Sequence, residues 1–384
     1  MVVGGCGFLG HHIVNLLSGS HGSSQISVLD LHTTRNRLPA SSKVQYFDAD
    51  ITSADSIRPV FQKVKPDVII HTASPTLLGA DEKLMRKVNV EGTRTLLELA
   101  GETKVKAFVY TSSASVISSS TRELINATEE WPYVPKAKQN DYYSQTKADA
   151  EALVIAANRK PEYNNLLTTA LRPAGLVGEG DVQIIPQMLR ALRKGQTGFQ
   201  LGDNDNLFDF TYVGNAAHAH VLAAVALLGT HSESQLKVQA ASEDDSSAPW
   251  IPSDERVDGE VFHVTNDSPI YFWDFPRLVW RCAGDTRGNN VWVIPKDWGL
   301  LLATIFEWVF WLWGGKPNLT RREVNYACIT RYYSCDKAKR RLGYEPITGL
   351  EEGIRRGVTW ALKREEQEEA EKKASGGAAE KKQQ

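Results

Sequence analysis

Two hydrophobic rhythms alternate through the first half of the chain. Short continuous apolar runs are separated by stretches whose apolar residues recur three and four positions apart. "QISVLDL", "VQYFDAD", "PDVIIHTAS", "KAFVYTSSASV" and "LLTTALRPAGLVG" are the runs, and they predict strands. "HHIVNLLS", "SADSIRPVFQKV", "EKLMRKVNVEGTRTLLELAGE" and "YYSQTKADAEALVIAANR" are the periodic stretches and predict helices, the second starting at Ser53. Continuous apolar strands alternating with helices imply a parallel sheet covered on both faces. The fold class expected is α/β, a Rossmann-type doubly wound parallel sheet with a smaller C-terminal lobe.

Past about residue 175 the rhythm breaks, so residues 1–175 are expected to form the Rossmann-type core. Residues 176–362 then form a mixed core and substrate lobe. "DFTYVGNAAHAHVLAAVALL" and "EVFHVTND" return to strand and helix. Residues 231–259 are polar and read as an exposed insertion, and residues 363–384 as a fraying helix ending in a charged disordered tail. The 384 residues carry a net charge of −2, which offers no field for nucleic acid. The four cysteines have no CxxC or metal-ligand spacing, as expected of a reduced, cytosol-facing protein without a metal centre.

The chemistry starts at "MVVGGCGFLGHHIV". Only three residues precede the glycines, so the expectation is either an unusually short first strand or a few leading residues lying outside this sequence. Gly4, Gly7 and Gly10 are spaced for a sharp strand-to-helix turn that lets backbone approach a pyrophosphate, and Phe8 and Leu9 share the turn. Asp30, about twenty residues on, stands where a carboxylate meets the adenosine ribose hydroxyls. That favours NAD; Arg35 and Arg37 nearby leave NADP open. Asp50, Thr72, Ala73, Ser74 and Ser113 fall at or just after carboxyl ends of strands, where ligands sit in such sheets.

Tyr143 and Lys147 lie four apart in "YSQTK" and share a helix face, with Ser112 and Ser113 at the end of the preceding strand. Such a pair is common on helix surfaces; the glycine turn, carboxylate and serine strand around it give it a chemical reading. An ammonium beside a phenol, with the positive ring of an oxidised nicotinamide, favours phenolate. The phenolate takes the proton of an alcohol as hydride leaves, while a serine hydroxyl holds the alcohol oxygen.

The glycine turn, "VYTSSASV" and YxxxK, in this order, resemble the extended short-chain dehydrogenase/reductases. "VNVEGTRTLLE", "ALRPAGLVGEGD", "DFTYVGNAAHAH", "FHVTND" and the segment "NLTRREVNYACITRYYSCDKAKRRLGYEPITGLEEGI" are similar to the 3β-hydroxysteroid dehydrogenase branch. The resemblance covers about residues 1–362 outside the polar insertion. It implies Tyr143 as base, Lys147 as its partner on the nicotinamide ribose and Ser113 as catalytic serine. It further implies Asn89 as support for the cofactor site, Asp50 and Ile51 at the adenine, and Pro173 and Ala174 near the carboxamide. The reaction implied is oxidation of the 3β-hydroxyl of a 4α-carboxysterol to a 3-ketone with loss of carbon dioxide. Other C-4 demethylation enzymes are the implied protein partners, and whether the chain forms a homodimer with a second copy stays open. The groups holding the carboxylate stay open, with Arg172 and Arg190 candidates by charge. Competing readings are a 3β-hydroxysteroid dehydrogenase/isomerase, a nucleotide-sugar epimerase or dehydratase, and a non-catalytic NAD-sensing scaffold.

"DWGLLLATIFEWVFWLWGG" is the most hydrophobic run. Fourteen residues from Leu300 to Trp313 cover roughly 21 Å as a helix, short of the ~30 Å hydrocarbon core. With its tryptophans, residues 298–314 are expected to dip into one leaflet, the alternative being a buried helix. A sterol substrate and the resemblance imply the cytosolic face of the endoplasmic reticulum membrane, with lipid droplets a second surface.

Overall fold

The structure, a computed structural model, describes residues 1–19, 25–75, 81–119, 121–139, 141–242, 255–287, 291–315, 317 and 319–380. Seven parallel strands form the central sheet: β1 (Val2–Val3), β2 (Ser27–Asp30), β3 (Gln45–Asp48), β4 (Val68–His71), β5 (Ala107–Thr111), β6 (Leu167–Pro173) and β7 (Val261–Val264). Their spatial order is β3-β2-β1-β4-β5-β6-β7. The direction of winding reverses between β1 and β4, which opens a crevice at the carboxyl ends of those strands. The middle strands are buried on both faces, as their unbroken apolar sequence requires. One core layer holds Ile57, Phe61, Leu96, Leu97 and Val154; the other holds Ile13, Val14, Ala216, Ala223 and Leu227.

β7 comes from the segment read as mixed, and one strand of the first half crosses the boundary expected at residue 175. β7 completes the core sheet from far downstream, pairing Val261–Val264 with Ala170–Pro173. Conversely, Leu124–Ala127 leaves the first half and joins Arg331–Tyr333 in a four-stranded sheet of the C-terminal lobe. The two units are therefore interleaved. Edge pairing is a long-range choice, and the period of a strand carries no record of its neighbour.

The stretch read as an insertion, 231–259, also differs. The helix that starts at Val213 continues to Ser242, residues 243–254 lie outside the described residues, and the chain is back in the core at Val257. Asp258 is buried there and is ion-paired with Arg159 and Arg256. Its carboxyl is held well below the usual range; burial acts against this, but hydrogen bonds from Arg159, Arg256 and Asn158 outweigh it. The C-terminal helix spans Leu350–Glu380. Ion pairs Arg364–Glu368 and Arg193–Glu365 lie along it.

The helical stretch from Glu82 to Glu102 has an irregular middle. Lys87–Gly92 winds as a π-helix between α-helical Glu82–Arg86 and Thr93–Glu102. Gly92 sits where an added Cβ would be 2.9 Å from the Ile51 side chain, so helix and β3 loop pack in direct contact.

Candidate active site

The glycine turn closes against β4. Gly4 has φ +80°, and a Cβ there would lie 2.6 Å from the Ala73 nitrogen. A Cβ on Gly10 would stand 2.1 Å from the Gly4 carbonyl oxygen, so helix Phe8–Gly19 can start this close to the strand only with glycine. The Thr72 hydroxyl donates to the Val3 carbonyl at 3.0 Å, and the Gly7 N–H to the Gly4 carbonyl at 3.0 Å. At the end of β2 the Asp30 carboxylate accepts from the Cys6 N–H at 2.9 Å, which fixes it at the rim of the turn. Leu9 is in the core, so what it offers the turn is backbone, while Phe8 packs beside Gly180. Arg37 lies over the Tyr46 ring, 4.5 Å from its centre.

The strand ends bring further predicted residues into place. Asp50 accepts from the Thr52 N–H at 2.8 Å, and Ile51 is buried against Gly92. Pro173 ends β6 opposite Val264, with Ala174 following. Asn89, carried inward by the π-turn, donates to the Thr146 hydroxyl at 2.9 Å, and Thr146 donates to the Tyr143 carbonyl at 2.8 Å. The Asn89 Oδ1 and Ser112 Oγ atoms are buried and have no hydrogen-bond partner among the described residues. Unsatisfied buried polar atoms beside a glycine cradle and a rim carboxylate are what a bound dinucleotide would complete.

Tyr143 and Lys147 sit on helix Tyr142–Ala156. The Ser74 hydroxyl at the end of β4 hydrogen-bonds the Tyr143 phenol. Ser113 caps a short 3-10 turn; its Oγ is 2.9 Å from Ser115 Oγ and accepts from the Ser115 N–H at 3.2 Å. Ser144 Oγ lies 2.8 Å from Ser115 Oγ and 2.7 Å from Asp141 Oδ2, so Ser113 is tied to the helix Tyr142–Ala156 through hydroxyls.

The expected electrostatics of the pair differ in one respect. Burial first, and the Asp141 carboxylate second, push the Tyr143 phenol upward, partly offset by the Ser74 hydrogen bond. Lys147 does not counter this in the protein alone. Burial pulls its amine down to about 7, with Glu151 opposing, and the amine points to the Thr111 carbonyl at 2.6 Å, 6.0 Å from the Tyr143 ring centre. The spacing of four shared a face but did not disclose the carbonyl behind it.

The two carboxylate-binding candidates lie in different settings, and one nitrogen of Arg172, Nη1, is buried with no partner among the described residues. Arg172 is buried in a bidentate pair with Glu151, at 2.6 Å and 3.0 Å. Arg190 is exposed on the helix Ile184–Arg193, which packs on Asp274–Cys282 and the C-terminal helix. A cation not singled out from the sequence lies by the Ser113 turn. Arg331 donates to the Ser118 hydroxyl at 2.9 Å, and Ser118 closes the turn that Ser113 opens. Its guanidinium lies 4.5 Å from the centres of both the Phe208 and Tyr326 rings, and among the described residues it makes no salt bridge. The signal for it was "ITRYYSCD" in the segment that carried the resemblance, but only the pairing of Arg331–Tyr333 with Leu124–Ala127 brings it beside the serines.

Glycine turn, Asp30 carboxylate at its rim, and a serine, tyrosine and lysine at the switch point together define a dinucleotide-dependent oxidoreductase of the short-chain type. The chain belongs to the 3-beta hydroxysteroid dehydrogenase/isomerase family, whose model matches residues 1–296. It is 39% identical over 361 residues to the decarboxylating sterol-4-alpha-carboxylate 3-dehydrogenase of Schizosaccharomyces pombe, covering 94% of this chain and 96% of that one. The enzyme of that name from Candida albicans is 38% identical over 366 residues, with 94% and 96% covered, and that from Homo sapiens 33% over 366, with 93% and 86%. In fold the chain is similar to a UDP-glucose 4-epimerase from Thermotoga maritima solved with UDP-glucose, at TM-score 0.66 and 20% identity over 94% of this chain and 98% of that one.

Proposed function

We propose that this protein oxidises the 3β-hydroxyl of a 4α-carboxysterol to a ketone and releases the 4-carboxylate as carbon dioxide. The observation that carries the reading is the convergence of Tyr143, Lys147 and the Ser113 turn at the strand ends beside the glycine cradle. Gly4, Gly7, Gly10 and Asp30 would hold the pyrophosphate and adenosine ribose, and Asn89, Lys147 and Pro173 the nicotinamide half. NAD, when bound, supplies the hydride acceptor and, oxidised, a positive ring beside the phenol. Tyr143 takes the alcohol proton, and Ser113 holds the alcohol oxygen. Once the ketone exists, the C4 carboxylate is β to a carbonyl. The same two hydroxyls then stand at the oxygen that takes up electrons as the carbon–carbon bond breaks. Arg331, walled by aromatic rings and near Ser113, holds the carboxylate until then.

The helix Lys296–Trp313 supports the membrane side of the reading. Only Gly299 and Ala303 are buried on it, while Trp311 and Trp313 are 76% and 82% exposed. That is an apolar face turned outward, fit to rest in one leaflet at the endoplasmic reticulum, facing the cytosol, or at a lipid droplet. Glu307 on this helix accepts from the Arg321 backbone and side chain at 2.8 Å and 2.7 Å, joining it to the helix Arg321–Cys328 that carries Tyr326. A sterol entering along it would arrive beside Arg331.

The test is an assay of purified protein with NAD and a 4α-carboxysterol, which should yield NADH and carbon dioxide in equal amounts. NADH alone would favour the isomerase reading, and turnover only of nucleotide sugars would overturn both. Tyr143→Phe should lower turnover roughly 10³-fold while retaining NAD binding. In the same assay Arg331→Met should raise KM for the carboxysterol about tenfold or more, with no change for a sterol lacking the carboxylate.

A further inference from the structure

Lys147 has a partner that the reading of the site has not used. Its amine donates to the Thr111 carbonyl at 2.6 Å and to the Tyr110 hydroxyl at 3.2 Å, and lies 4.7 Å from the Tyr110 ring centre. Tyr110 is fully buried near the carboxyl end of β5, so its ring cannot move aside without disturbing the packing around the sheet. Thr111 is fixed as well. His220 Nδ1 faces the Ala216 carbonyl at 2.7 Å and so carries the ring hydrogen, which leaves Nε2 to accept from the Thr111 hydroxyl at 2.7 Å. An ammonium has three N–H groups, and two of Lys147's are thereby assigned.

We propose that Tyr110 is a positioning residue for Lys147: its phenol oxygen and the Thr111 carbonyl anchor two N–H groups of the amine and aim the third at the Tyr143 side of the cleft. This rests on Lys147 acting as partner of Tyr143. The other groups facing the amine do not substitute for Tyr110. Glu151, one turn further on the same helix, is occupied by Arg172 and by the Tyr133 hydroxyl. His71 on β4 and His220 are driven by burial to about 3 and about 4, so both are neutral near pH 7 and add no competing positive charge. Tyr110 itself is pushed well above its usual value by burial, so its oxygen stays a neutral acceptor throughout the working range.

The sign follows from what each partner stabilises. An acceptor favours the charged amine, so its removal lowers the Lys147 value further below about 7. Tyr143 then loses positive charge beside it, and its proton is held more tightly. In Tyr110→Phe the alkaline limb of the kcat–pH profile should move down and the acid limb up, with kcat about tenfold lower and the sterol KM within about twofold. A buried Tyr→Phe exchange serving only packing would leave the limbs in place.

The experiment is the single-turnover rate of NADH formation against pH for wild type, Tyr110→Phe and Tyr143→Phe. A narrowed bell in Tyr110→Phe supports the proposal, and a profile superimposable on wild type overturns it. If Tyr110→Phe does not fold, 3-fluorotyrosine at position 110 keeps the shape and weakens the acceptor. A smaller narrowing in the same direction supports the proposal, and an unmoved profile overturns it. If Tyr143→Phe keeps its turnover, the reading of the active site itself has failed. A dead Tyr143→Phe beside an unmoved Tyr110→Phe profile removes the Tyr110 assignment alone.

Discussion

Two greasy helices in this protein meet opposite fates. Val213–Ser232, the first part of the helix that ends at Ser242, has mean hydropathy 1.3 and is long and apolar enough to cross a membrane, yet it packs against the sheet. Ala216, Ala219, Ala223 and Leu227 are buried on it, and it carries a buried histidine. The Lys296–Trp313 helix turns most of its large side chains outward, among them Trp298, Leu301, Trp308, Trp311, Leu312 and Trp313. Hydropathy alone ranks them misleadingly. Small alanines let one helix lie close on β5 and β6, while indole rings with polar N–H groups suit a boundary between water and lipid.

The largest effect that can break this contrast is an acid placed on each helix. Leu227→Asp buries an unpaired carboxylate at a fully buried position and should cost about 3–5 kcal/mol, enough to lose soluble folded protein. Leu312→Asp on the outward helix should leave the melting temperature within about 1 °C. Equal losses in a thermal melt would show that both helices are core.

A smaller effect comes from pH. His220 sits on the buried helix with its folded value lowered to about 4, chiefly by burial. Between that value and the unfolded value near 6.5 the unfolded chain binds more protons, so stability falls as the pH drops through this window. At pH 5 the loss is about 2 kcal/mol from this residue, and none arises above pH 7. Denaturant titrations at pH 7.5 and 5 should show it, and His220→Gln should flatten the slope; an unchanged slope would mean that the histidine is charged or hydrated in the fold.

The smallest change in stability goes with a clear change in location. Trp311→Ser with Trp313→Ser should leave unfolding free energy within about 0.5 kcal/mol while lowering binding to phosphatidylcholine vesicles at least about tenfold. Co-sedimentation reads this directly, and undiminished pelleting would assign the membrane contact elsewhere.

What the sequence disclosed, and what it withheld, follows the same division between local and long-range. The turn at Gly4–Gly10, the strands ending at Asp30, His71 and Thr111, and the helix bearing Tyr143 and Lys147 are local patterns, and they stand where the spacing puts them. The π-turn at Asn89 breaks the 3.6 period within an otherwise regular helix, so periodicity passed over it. β7, the buried Asp258 and the approach of Arg331 to Ser118 each depend on pairing between segments about a hundred or more residues apart. Arg172 illustrates the limit from the other side. Its charge suggested a ligand, but nothing in the sequence pointed to Glu151 on the neighbouring helix, which holds two of its nitrogens.

That π-turn gives the molecule an unusual vulnerability. An α-helix advances about 100° per residue, so shortening Lys87–Gly92 by one would let the helix relax to regular winding with its ends still docked on the sheet. Asn89 would swing away from Thr146, and the support beneath Tyr143 would go with it. A single in-frame codon loss at this place should therefore lower turnover while leaving a protein that folds and accumulates, which a paired activity assay and thermal melt would read.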